Sequence, residues 1–106
     1  MSEWIDVAPV AAISPGQFET VDFEDILIAV FNVSGEFFAI EDVCTHDGEE
    51  LAGGPVDGHV ITCPRHGAQF SLMTGEVLAP PAYEPVRTFP VQISNGIVQV
   101  RDDRWD

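Results

Sequence analysis

The sequence contains no lysine, and all of its positive charge comes from four arginines, Arg65, Arg87, Arg101 and Arg104. A lysine-dependent phosphate loop and a Schiff-base mechanism are therefore excluded. Eighteen acidic residues oppose those arginines and leave a net charge of −14. That field repels a phosphate backbone, so no nucleic acid is expected as a partner. Long apolar runs are missing too. The longest, Ile26 to Phe31, falls far short of the roughly 20 residues that cross a bilayer, so no membrane association is expected. Residues Met1 to Asp6 lack the basic start of an export signal, and the expected location is the cytoplasm. Only two cysteines are present, Cys44 and Cys63, and in a reducing compartment thiols more often ligate metals than form disulfides.

A length of 106 residues implies one domain, read here as residues 1–106. With 45% apolar and 9% aromatic residues the chain can build a core, so a folded domain is expected rather than disorder. No stretch keeps a helical apolar period between caps, and eight prolines interrupt the candidates. Short β-prone runs occur instead at Ile5–Val7, Phe18–Phe23, Ile26–Val33, Glu36–Val43, His59–Thr62, Phe70–Met73, Arg87–Ile93 and Ile97–Arg101. Ser34-Gly35 and Asn95-Gly96 join neighbouring runs as hairpin turns, Asn-Gly favouring the positive φ values of type I′. The fold class is all-β.

The chemistry lies in two segments, Cys44-Thr45-His46-Asp47-Gly48 and Cys63-Pro64-Arg65-His66-Gly67, separated so that sixteen residues stand between His46 and Cys63. Each offers one thiolate and one imidazole, a donor set that admits zinc or iron. Zinc fingers usually group like ligands on separate elements, whereas each element here mixes one of each. Mixed pairs fit a two-iron cluster between two loops, with both cysteines on one iron and both histidines on the other. His59, outside both segments and beside a turn, reads as a solvated surface residue.

These segments, C-T-H-x-G-x-x-L at Cys44 to Leu51 and C-P-x-H-G-x-x-F at Cys63 to Phe70, resemble the cluster-binding loops of the Rieske ferredoxins. Gly75 and Pro80-Pro81 resemble the glycine and proline-rich loop that covers the cluster in that family. The resemblance implies stacked antiparallel sheets with a small cluster-binding subdomain at one tip, built from loops around 43–51 and 63–70 and a proline loop around 78–83. It implies one [2Fe-2S] cluster per chain, held by Cys44, His46, Cys63 and His66. It further implies a monomeric electron carrier between a flavin-dependent NAD(P)H ferredoxin reductase and a terminal Rieske oxygenase, with no catalytic residue of its own. Alternatives are an accessory subunit resembling the nitrite reductase small subunit, a ferredoxin of redox or iron–sulfur assembly pathways, and a zinc-stabilised binding domain.

Respiratory relatives carry a further cysteine in each loop; here those positions are Glu49 and Arg65, read either as an ion pair in place of a disulfide or as two independently solvated charges. High-potential relatives carry a serine and a tyrosine after the second loop, where this chain has Ala68 and Phe70. Neither can donate a hydrogen bond to sulfur, so the expected potential is at the low end, roughly −150 mV. Glu41, Asp42, Asp47, Glu49 and Glu50 read as an exposed acidic face, either solvating or docking.

Overall fold

Residues 26–33, Ile-Leu-Ile-Ala-Val-Phe-Asn-Val, form a nearly continuous apolar run, which a strand can bury only if both of its faces are covered. The computed structural model describes residues 3–23, 25–45 and 50–104, and it places this run in the middle of three layers. In chain order the strands are β1 (Trp4–Pro9), β2 (Phe18–Phe23), β3 (Ile26–Val33), β4 (Glu36–Glu41), β5 (Val56–Asp57) and β6 (Val60–Thr62). They continue with β7 (Gln69–Ser71), β8 (Val77–Ala79), β9 (Thr88–Phe89), β10 (Val91–Ser94) and β11 (Ile97–Arg101). Helix among the described residues amounts to one 3-10 turn, Val10–Ala12.

The strands pair antiparallel in three sheets, ordered β1-β11-β10, β2-β3-β4-β9 and β5-β6-β7-β8. Alternation along β3 assigns its side chains to two cores. Ile28 and Val30 meet Val98 and Val100 of the three-stranded sheet. Ala29, Phe31 and Val33 lie with Ile61 and Phe70 of the small sheet, in the same apolar cluster as both cysteines. Both expected hairpins are present, with positive φ at Ser34 (53°), Gly35 (94°), Asn95 (52°) and Gly96 (76°).

Several sequence expectations are corrected. The run Arg87–Ile93 is two strands: β9 joins β4 and β10 joins β11, and the break falls at Pro90, which has no N–H to continue a ladder. β5 and β8 were not anticipated, because strands this short carry no readable period and exist by pairing with β6 and β7. β4 stops at Glu41, before the first cysteine segment. His59 is half-buried and sits edge-on to Phe38, with ring centroids 5.3 Å apart, so it is a packed residue.

Arg104 fastens the C-terminal segment. Its guanidinium donates to Asp102 at 2.7 and 2.8 Å and to Asp25 at 3.0 and 3.3 Å. These hydrogen bonds hold both carboxyls below the usual carboxylate range and push the guanidinium further up.

Candidate metal centre

The first cysteine follows directly from the central sheet. At the end of β4, Glu41 N–H donates to Arg87 O (2.9 Å) and Asp42 N–H to Leu27 O (2.8 Å), which fixes the point where the chain leaves the strand. Cys44 comes two residues later and is completely buried. The second follows from β6. Cys63 is 1% exposed, its N–H donates to Ala68 O (2.7 Å), and Gly67 N–H donates back to Cys63 O (3.1 Å). This turn leaves Pro64, Arg65, His66 and Gly67 exposed while the thiol of Cys63 stays inside.

Gly67 has φ +79°, and a Cβ there would meet nothing within 4 Å. Its positive φ supplies the left-handed turn after His66. The tight contact lies at Gly75 (φ +79°), where a Cβ would run into the carbonyl oxygen of Val86. Val86 N–H donates to Gly75 O (2.9 Å), and Thr45 Oγ1 donates to Glu84 O (2.7 Å). The segment after β8 is thereby laced to the first cysteine segment. It contains the cis Pro80-Pro81 bond, buried Ala82 and Tyr83, which is 85% exposed.

Cys44 and Cys63 are not joined in a disulfide. They share one apolar cluster with Leu51, Ala68, Phe70, Ala82 and Val86. His46 and Glu49 lie outside the described residues, and so does the proposed pairing of Glu49 with Arg65. Among the described residues no three Cys, His, Asp or Glu side chains gather as a single-ion site. A two-iron cluster asks for two protein ligands per iron, and two buried thiols with the exposed His66 three residues after Cys63 suit that division.

Of the five acids expected on one exposed face, Glu50 is exposed and Glu41 half-buried, while Asp47 and Glu49 are outside the described residues. Asp42 is a correction. It is 6% exposed, and its Oδ1 accepts the N–H groups of Leu51 (2.8 Å) and Ala52 (2.7 Å). Sequence reasoning assigned it to the surface because it sits among other acids; the one hint was its place between an apolar strand and a cysteine.

The Rieske [2Fe-2S] domain model matches residues 3–90. The chain belongs to the Rieske [2Fe-2S] domain family. A Rieske domain carries a [2Fe-2S] cluster, and the buried thiols and exposed imidazole of this one fit that group. This Rieske chain is 40% identical over 89 residues, 83% of its length and 82% of the relative's, to the biphenyl dioxygenase ferredoxin subunit of Pseudomonas sp. (strain KKS102). Its fold is that of the Sphingomonas yanoikuyae B1 ferredoxin, with TM-score 0.87 and 36% identity over 94% of this chain and 99% of that one. A chain in the complex of reduced oxygenase and oxidized ferredoxin in carbazole 1,9a-dioxygenase matches with TM-score 0.88 and 35% identity, covering 92% of each.

Proposed function

We propose that the chain is a one-electron carrier whose cluster is held by Cys44 and Cys63 on an inner iron and by His46 and His66 on an outer one. The observation that carries this reading is the division of donors: both thiols are buried in one apolar cluster, while His66, three residues after Cys63, is exposed. When bound, the cluster supplies a one-electron couple. The chain's residues bury the thiol side, turn an imidazole towards solvent, and lace the proline segment to the first loop through Thr45 and Glu84. The proposed domain spans residues 1–106, with cluster loops at 43–51 and 63–70 and the proline loop at 78–83.

The donor is a flavin-dependent NAD(P)H ferredoxin reductase and the acceptor a terminal Rieske oxygenase of a ring-hydroxylating system. Relatives named as dioxygenase ferredoxin subunits, and a ferredoxin solved in complex with its oxygenase, support that assignment. They favour the carrier over an accessory subunit. The carrier acts as a monomer in the cytoplasm, and its charge of −14 suits brief docking on basic surfaces. No residue is assigned a catalytic role: once His46 and His66 are used, His59 is the remaining histidine, and it packs on Phe38.

The test is iron, acid-labile sulfide and zinc content of anaerobically purified protein, with an EPR spectrum after dithionite reduction. About two irons and two sulfides per chain, with an average g below the free-electron value, is the expected result. One zinc without sulfide overturns it.

A further inference from the structure

We propose that Asp42 is the positioning residue of the first cysteine loop, clamping its two ends together so that Cys44 is presented to the cluster from a loop already closed by folding. The proposal rests on the assignment of Cys44 as a ligand.

A carboxyl group buried to 6% exposure is costly unless its oxygens are hydrogen-bonded. One oxygen of Asp42 is well satisfied, since Oδ1 accepts two backbone N–H groups, from Leu51 at 2.8 Å and Ala52 at 2.7 Å. The other, Oδ2, is buried with no hydrogen-bond partner. No arginine pairs with Asp42 among the described residues. What the bonded oxygen fixes is the chain on the far side of residues 43–50.

Both ends of the clamp are anchored. On one side, the hydrogen bonds of Asp42 N–H to Leu27 O and Glu41 N–H to Arg87 O seat the carboxylate on the central sheet. On the other, Leu51 is fully buried in the cluster that contains Cys44 and Cys63. Leu51 O accepts Gly54 N–H (3.0 Å), and Pro55 O accepts Thr62 N–H (2.9 Å) at the end of β6, directly before Cys63. One carboxylate thus ties the strand that delivers Cys44 to the segment packed against the strand that delivers Cys63. The entropy of closing the first loop is then lost on folding, and cluster binding need not supply it.

The test compares cluster-loaded wild type, Asp42→Ala and Asp42→Asn. The readouts are the rate at which visible absorbance bleaches in an iron chelator, and hydrogen exchange of the Leu51 and Ala52 amides. Asp42→Ala should release iron about tenfold faster or more, because two hydrogen bonds to a charged acceptor are lost. It should also expose both amides to exchange. Asp42→Asn keeps an oxygen at the bonded position but not its charge, so both hydrogen bonds are weakened rather than lost and its rate should fall between those of wild type and Asp42→Ala. The proposal is overturned if Asp42→Ala bleaches and exchanges as wild type does, or if folded Asp42→Asn releases iron as fast as Asp42→Ala. Should Asp42→Ala not fold, amide exchange in Asp42→Asn decides: faster exchange at Leu51 and Ala52 with the amides of β3 unchanged supports the clamp, and exchange of both at the wild-type rate overturns it. If the wild type binds zinc without sulfide, the cluster assignment fails, and amide exchange still decides the clamp.

Discussion

Serine introduced at Ala68 should raise the reduction potential. Ala68 and Phe70 are fully buried in the apolar cluster that contains both cysteines, and neither bears a hydroxyl. The carbonyl of Ala68 accepts the N–H of Cys63 at 2.7 Å, so its Cβ lies on the turn that carries that thiol. A hydroxyl donating to cluster or cysteine sulfur binds more strongly once the centre has gained an electron. A hydrogen bond to a charged group is worth about 1.5–3 kcal/mol and one to a neutral group about 1, so the gain on reduction is about 0.5–2 kcal/mol. For one electron, where a tenfold change in equilibrium is about 59 mV, this is an upward shift of about 20–90 mV. Phe70→Tyr should act in the same direction, at a packing cost of about 1–3 kcal/mol because the ring is already enclosed. The assay is an anaerobic redox titration followed by circular dichroism or EPR, with thermal melts as a control. The reasoning is refuted if Ala68→Ser keeps its cluster and its midpoint stays put or falls. A wild-type midpoint above about +100 mV, well up the Rieske range, would equally remove the premise.

Two further outcomes concern the scaffold. Arg104 depresses the carboxyl pKa values of Asp25 and Asp102, so its contribution to stability is present above the ordinary carboxylate value and disappears as pH falls through the lower folded values. Arg104→Gln should therefore melt below wild type at neutral pH, by a modest amount because Asp25 is 63% exposed, and the gap should close in acid; a gap independent of pH contradicts this. Gly75→Ala combines a left-handed φ with a Cβ directed at the Val86 carbonyl, and should cost more than about 1 kcal/mol in urea unfolding. A neutral result would mean that the segment laced to the first loop moves aside freely.

Local chemistry determined much of this protein from the sequence alone. The Ser34-Gly35 and Asn95-Gly96 turns require positive φ within two residues, and both hairpins stand where those dipeptides fall. β2 and β3 occupy the residues expected, Phe18–Phe23 and Ile26–Val33, because their length and apolar content are visible in a short window. The two cysteine–histidine segments identify the family because their donor types and spacing are contiguous in the chain. Tertiary structure decided what depends on distant partners. Pro90 separates one apparent strand into two because β4 and β11 belong to different sheets. His59 is packed because Phe38 lies across from it. Asp42 reads as one more surface acid among Glu41, Asp47, Glu49 and Glu50, and only the N–H groups of Leu51 and Ala52, nine and ten residues away, turn it inward. A dihedral preference or an apolar period is a property of neighbouring residues, whereas burying a charge depends on donors that the fold alone brings within reach.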